Sequence, residues 1–397
     1  MDFVLMHKNY PVAHIVMDDQ VFMIAEVKEV YDPRRLPLGI EIVEGYPERG
    51  RLNNWWSERA IPASREFVRE LLLQYLRHGS INFLLVKGLG LSLSDQYWIK
   101  PFKSDLVWEN VNYFDNDFSE DIGNFLFDYT PTDSDEYDLF TPDTTTTGNL
   151  RKKWTIIDGV RCLIKSGTKP DYQEPLNEVV AGKIAERLSI DHIDYRLSWF
   201  NKRPVSICPC FVSRDTEFVS AARLIAPGKY PFHEFYDRFV ANCVAHGLSN
   251  VSSFLDKMIV LDFLIVNIDR HFNNFGFLRN VDTLEWIGPA PLFDNGLCLW
   301  NTEQATEIKS GYVGPCKSFR RAHGEQISLV KDFNWLNLEA LLDIDQDIFN
   351  MMSESPLISQ EKAKALAWAI NWRIDHLTQA IEKQQSVSAK PSRSHLP

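Results

Sequence analysis

The chain has 397 residues and carries 42 Lys and Arg against 54 Asp and Glu, a formal charge of −12. Such an acidic balance gives no long-range attraction to nucleic acid or to an anionic membrane face, so neither direct DNA binding nor membrane attachment is expected as its main task. Hydrophobic residues make up 45% and the six cysteines sit mostly in apolar stretches, which supplies large cores without a disulfide framework and without an apolar run near the ~20 residues of a spanning helix.

The first residues show neither the basic start nor the apolar centre of a secretory signal, and a cytoplasmic location is expected. VLMHKNYPVAHIVMD (4–18) and QVFMIAEVKEVY (20–31) alternate apolar and polar positions as half-buried strands do. A helix is expected next, capped by Ser64, with Phe67, Leu71, Leu72, Tyr75 and Leu76 at helical spacing and Gly79 as its stop. Residues 1–103 thus read as a small N-terminal α+β accessory domain. From Ser104 to Leu150 there is no Lys or Arg, yet there are twelve acids, among them Asp133, Asp135, Glu136 and Asp138. Aromatic residues such as Trp108, Tyr113 and Phe125 interrupt the charge, so 104–143 is expected to be a connector packed on a neighbouring domain rather than a solvated linker.

RKKWTIIDG (151–159) and VRCLIKSG (160–167) read as two strands joined through Asp158-Gly159, a hairpin dipeptide. A helix over 174–189 follows, with Val179, Val180, Ile184 and Leu188 on one face. Cys208 and Cys210 form a lone C-x-C with no second ligand pair, which argues against zinc. Helical patterns dominate from about Tyr230, broken by a hairpin in which FGFLRN and LEWIG flank Val281-Asp282-Thr283. The last helix begins near Ser359 and repeats Leu366, Ile370, Ile374, Leu377 and Ile381. The expected division is a nucleotide-binding lobe over 144–212, a helical catalytic lobe over 213–384, and a disordered tail over 385–397.

The stretch most informative for chemistry is NIDRHFNNFG (267–276), followed after the hairpin by PLFDNG (291–296). Asp269 and Asn274 have the separation of Asp and Asn in the protein-kinase loop H-R-D-x-x-x-x-N, and Asp294 stands where such enzymes carry D-F-G. Phosphoryl transfer asks for a carboxylate that accepts the hydroxyl proton and for oxygen ligands that hold Mg²⁺ against nucleotide phosphates. Asp269 is the candidate base, and Asn274 and Asp294 are the candidate metal ligands. Asp and Asn are also common turn residues, but a buried apolar run directly before them, IVLDFLIV, needs a reason to end in so many polar groups. Arg270 and His271 either orient the loop or touch phosphate.

Lys165, late in its strand, is the candidate cation for the α- and β-phosphates, and Glu178 is its expected partner, with Glu174 and Glu186 as substitutes. TPDTTTTGNLRKKW (141–154) places Thr147 and Gly148 where backbone N–H groups and hydroxyls could cover phosphates, although it matches no known glycine-rich fingerprint and an ordinary loop is the alternative. Backbone groups of Pro209, Cys210 and Phe211 are candidates for bonding adenine.

These residues resemble the HipA-like serine/threonine kinases of bacteria. NIDRHFNNFG resembles the HipA-type catalytic segment, FDNG its metal-binding Asp and Lys165 its ATP lysine. WWSERAIPASR (55–65), LSLSDQYWIKP (91–101) and CKSFRRAHGEQISLV (316–330) extend the likeness to about Lys383. The resemblance implies an α+β, two-lobed, protein-kinase-like fold with a largely helical C-terminal lobe, ATP and Mg²⁺ as cofactors, and transfer to a Ser/Thr hydroxyl of a protein substrate. It also implies an antitoxin-like partner, leaves open secretion as an effector, and would place a self-phosphorylated serine among Thr144 to Thr147, where this chain has none. Two other readings stand beside it: a phosphoinositide-type lipid kinase, which shares the D-R-H-x-x-N form, and a nucleotide-binding toxin-like module without turnover.

Overall fold

The computed structural model describes residues 1–132, 137–225, 228 and 231–388. Asp133, Asp135 and Glu136 of the acidic segment, and the tail beyond 388, lie outside the described residues. The chain forms two compact units, each built from several segments. One comprises Met1–Gly167, Ile207–Ile225 and Gly276–Ala290, and the other Thr168–Ser206, Ala226–Phe275 and Pro291–Pro397.

The first unit opens with strands Asp2–His7, Tyr10–Met17 and Ile24–Val30. A turn at Lys8, with φ 54°, divides the first alternating stretch of the sequence into two strands. Tyr97–Pro101 pairs with the other edge of the first strand, giving the antiparallel order Ile24–Val30, Tyr10–Met17, Asp2–His7, Tyr97–Pro101. The period-two pattern turns Leu5, Ala13 and Ile15 to one side, where they, with Val12 at the register shift of the ladder, share a core with Leu52, Trp55 and Trp56 of helix Arg49–Glu58. The expected long helix after Ser64 is instead a short turn, Val68–Glu70, running into a π-helical turn, Leu71–Tyr75. Phe67, at φ 69°, occupies the cap position, and the Ser64 hydroxyl donates to Asn149 Oδ1 at 2.8 Å. The helical spacing was right about the buried face, since Val68, Leu71 and Leu72 pack with Leu84, Ile122, Phe125 and Leu126. Aromatic residues of the acidic segment are core residues here, Trp108 and Tyr113 packing with Met6, Leu91 and Trp98.

Strands Lys152–Ile157 and Val160–Ser166 form the expected hairpin, with Asp158 and Gly159 both left-handed, at φ 50° and 78°, as a two-residue turn of this type requires. A three-stranded sheet orders Thr216–Ser220, Gly276–Asn280 and Trp286–Pro289. Gly276 faces Ser220 across that ladder, and a Cβ there would run into the Val219 carbonyl and the Phe218 ring, so the final glycine of NIDRHFNNFG serves close strand approach.

In the second unit, helix Glu174–Arg187 ends two residues before the expected Ser189. Helix Val251–Ile265 is buried along nearly its whole length and carries the catalytic-loop candidate at its C-terminus. Phe235, Phe239, Phe272, Phe275 and Phe319 form one aromatic cluster beside it, with ring centroids of Phe272 and Phe319 5.2 Å apart. The last helix, Gln360–Ser388, is capped by Ser359, whose hydroxyl accepts the Lys362 N–H at 3.1 Å, and it continues four residues past the expected end at Gln384. Among the described residues no helix is long and apolar enough to cross a membrane.

Candidate functional site

The candidate loop begins where helix Val251–Ile265 stops. Val266 is left-handed, at φ 51°, and closes the helix with its N–H on the Asp262 carbonyl. Asn267 then makes an Asx turn, its Oδ1 accepting the Asp269 N–H at 2.9 Å. Asn274 donates its side-chain amide to the Asp269 carbonyl at 3.1 Å, and the loop closes on itself through His271 N–H to Asp269 O at 2.7 Å and Asn274 N–H to His271 O at 2.8 Å. Asp269 and Asn274 are therefore turn residues and at the same time parts of one closed loop.

Arg270 fixes that loop from inside. It is fully buried, and its Nε and Nη2 bind Asp262 at 3.0–3.2 Å while Nη1 donates to the carbonyls of Asn274, at 2.9 Å, and Phe293, at 2.6 Å. Its Nη2 also donates to Asn295 Oδ1. One guanidinium thus ties the end of the loop to the Phe293 carbonyl and to the Asn295 side chain, one on each side of Asp294. Burial opposes its charge, but the Asp262 carboxylate outweighs this and holds the pKa above the ordinary arginine value. With every contact directed inward, Arg270 orients the loop and is not a phosphate contact.

Asp294 is itself left-handed, at φ 57°, and its N–H donates to the Tyr195 hydroxyl at 3.2 Å. Next to it the Asn295 N–H donates to Glu178 Oε2 at 2.8 Å, with Glu178 only 1% exposed. The helix that bears Glu178 also carries Asn177, whose amide donates to the carbonyls of Gly296, at 2.7 Å, and Cys298, at 2.8 Å. A polar buried face on this helix is explained by that backbone: side chains satisfy carbonyls that no strand pairs. Glu174 is taken by Thr168, whose N–H it accepts at 3.0 Å, and Glu186 is exposed and paired with Lys183 at 3.0 Å, so Glu186 does not serve as a substitute for Glu178.

Asp269 is 24% exposed at its side chain and pairs with the ammonium of Lys317. The His271 imidazole lies 4.0 Å from it; burial, aided by Lys317, holds His271 below the usual histidine value against the pull of Asp269, so it is neutral at pH 7.

The remaining candidates belong to the first unit. Lys165 is 5% exposed, unlike the solvated lysine that ordinarily ends a strand. In the 141–148 segment, Thr144, Thr145 and Thr146 are turned inward, their hydroxyls donating to Thr141 O, Leu91 O and Pro142 O at 2.9–3.1 Å, which leaves Thr147 and Gly148 as the exposed part. Gly148 has φ 84°, and Arg65 grips its carbonyl at 2.7 and 2.9 Å. The Cys210 N–H donates to Arg161 O at 2.8 Å, so this group is spent on the sheet and is not available to adenine; burial pushes the Cys210 thiol up to about 12.

Sequence reasoning missed Asp262, Asn177 and Lys317. Asp262 had a signal, an acid inside MIVLDFLIV, because a carboxylate in an apolar helix must find a cation. Lys317 lies 48 residues from Asp269 and had none.

No protein-family model and no curated protein matches the chain. Among solved structures it is similar to HipA from Shewanella oneidensis MR-1, determined in a toxin–antitoxin complex with HipB and operator DNA, at 13% identity and a TM-score of 0.51 over 96% of this chain and 97% of that one. It is also similar to the Helicobacter pylori proinflammatory kinase CtkA, at 21% identity and a TM-score of 0.45 over 59% of this chain and 95% of that one. The chain has a HipA-like fold, and the α+β class expected from its sequence is the observed one.

Proposed function

We propose that this chain is an ATP- and Mg²⁺-dependent serine/threonine protein kinase of the HipA-like kind, with Asp269 as the base. The observation that carries the reading is the clamp of Arg270, which ties the Asn274 and Phe293 carbonyls to one buried cation and so holds the Asp269 loop and the Asp294 turn in one fixed arrangement. A HipA-like fold supports it independently.

The donor set fits Mg²⁺ as a phosphate-bridging ion. Asn274 spends its amide nitrogen on Asp269 O, which leaves the carbonyl oxygen as the ligating atom, and Asp294 adds a carboxylate. Two oxygen donors are too few for an all-protein cage but suit an ion that completes its shell with phosphates and water. When bound, that ion would neutralise charge on the nucleotide phosphates. In the first unit, Lys165 is the candidate cation for phosphates, and Thr147 and Gly148, on the loop that Arg65 holds, are the candidates to cover them. Asp269 would accept the proton of a Ser/Thr hydroxyl as its oxygen bonds to the γ-phosphorus. His271, 4.0 Å from Asp269, would stand beside the base on the same loop. An antitoxin-like partner is part of the proposal, on the analogy of the HipA and HipB complex.

The test is incubation with Mg²⁺ and γ-labelled ATP, with cell lysate in one arm and phosphoinositide vesicles in another, followed by mapping of the label. Label on Ser or Thr is the expected result. Label in lipid alone would establish the lipid-kinase reading, and nucleotide binding without turnover the non-catalytic one.

A further inference from the structure

Lys317 is the one cation paired with the Asp269 carboxylate among the described contacts, and the turn that carries it is anchored with unusual care for an exposed lysine. Its side chain is 53% exposed, and an ion pair so open to water contributes little to stability. The residues around it are bolted to the candidate loop. Ser318, left-handed at φ 74°, donates its hydroxyl to the carbonyl of Arg270, the residue after Asp269. Phe319 is fully buried, its ring against Phe272 of the same loop at a centroid distance of 5.2 Å. Cys316 N–H donates to Arg321 O at 2.9 Å, and Arg320 is held by Gln326 Oε1, which accepts its N–H at 3.0 Å. The backbone is rigid and tied to the loop, while the four-carbon stem of Lys317 is left free to move its ammonium.

We infer that Lys317 is a catalytic residue of the phosphoryl transfer, the cation that engages the non-bridging oxygens of the moving γ-phosphoryl group. The inference rests on the kinase reading above. Lys317 pairs with Asp269. During transfer, the acceptor hydroxyl oxygen forms its bond to the γ-phosphorus, its proton passes to an Asp269 oxygen, and the bond from the γ-phosphorus to the β,γ-bridging oxygen breaks with its electron pair leaving on ADP. Lys317 keeps all its protons and shifts toward the equatorial oxygens, whose charge spreads in the transition state. As Asp269 becomes neutral it releases the ammonium, so the two events favour each other.

The experiment compares wild type, Lys317→Met and Lys317→Arg by titration calorimetry with Mg·ADP and with Mg·ADP plus aluminium fluoride, a planar mimic of the moving group, alongside label transfer. Lys317→Met is expected to bind Mg·ADP as wild type does, to lose about 100-fold in affinity for the aluminium fluoride complex, and to lose transfer by a similar factor, the range seen for removing one preorganised donor. Lys317→Arg is expected to recover part of both. Equal affinity of wild type and Lys317→Met for the aluminium fluoride complex would overturn the role of Lys317 while leaving the kinase reading intact. Parallel loss of Mg·ADP affinity in Lys317→Met would also overturn it, as the residue would then serve the fold of the loop. Failure of wild type to bind Mg·ADP at all would overturn the kinase reading and the inference with it.

Discussion

Two buried arginines, one in each unit, grip a loop by its carbonyl oxygens, and they differ in how their charge is balanced. Arg270 holds the 267–274 loop and bonds directly to the Asp262 carboxylate, which keeps its pKa raised. Arg65 holds Thr146 and Gly148 but touches no carboxylate; its Nη1 has no hydrogen-bond partner among the described residues, and burial pulls its pKa down to about 10. The acid acting on it, Asp143, is fully buried and is pushed up to about 7, desolvation outweighing its bonds from Trp154 N–H and Thr141 and the attraction of Arg65. The contrast teaches that the candidate catalytic loop is set by an arginine whose charge a bonded carboxylate supports, although burial raises the pKa of that carboxyl, Asp262, whereas the 146–148 loop is set beside a carboxyl, Asp143, that changes its state near neutrality.

The largest effect should follow from breaking the tighter clamp. Arg270→Met leaves Asp262 as an unpaired buried carboxylate, and about 3–5 kcal/mol of stability should be lost in urea denaturation. The double variant Arg270→Met/Asp262→Leu should regain much of it, because the stranded charge is gone. A single variant as stable as wild type would remove the clamp from the account.

Asp143 gives a second test, through pH. Its folded pKa, about 7, lies above the unfolded 3.8, so the folded state binds the proton more tightly. The stability this contributes is fully present below about pH 4 and is lost as pH rises through about 7, a total of about 4 kcal/mol at 1.36 kcal/mol per unit. The thermal midpoint of wild type should therefore fall between pH 5 and pH 8, and that of Asp143→Asn should fall less over the same range. Identical slopes for the two proteins would show that Asp143 is ionised throughout.

The smallest effect separates the glutamates of helix Glu174–Arg187. Glu178→Gln weakens the hold on the Asn295 N–H beside Asp294 and should reduce Mg·ADP affinity several-fold. Glu186→Gln removes only the partner of Lys183 at the surface and should leave affinity within about twofold of wild type. A larger effect from Glu186 would contradict the assignment of its helix face.

What the sequence made legible follows from what local patterns can carry. The hairpin at Asp158-Gly159 was readable because two left-handed residues in succession demand that dipeptide. The loop 267–276 was readable because its closing bonds join residues no more than five positions apart. Ser64 misled because a cap residue before a helical pattern signals a start only if the next residues adopt helical angles, and Phe67 does not. The partners of the site were harder to read in proportion to their separation. Glu178 lies 117 residues from Asn295 and Lys317 lies 48 from Asp269, and no periodicity records such meetings. Asp262 was the intermediate case, an acid whose burial implied a cation eight residues on.

The most direct measurement of the central claim pairs two readings on one variant: Mg·ATP affinity by calorimetry and transfer of γ-label, for wild type and Asp269→Asn. A base that acts on the acceptor predicts affinity within about twofold of wild type and transfer reduced by about 10²–10⁴-fold. Transfer at the wild-type rate by Asp269→Asn would contradict it.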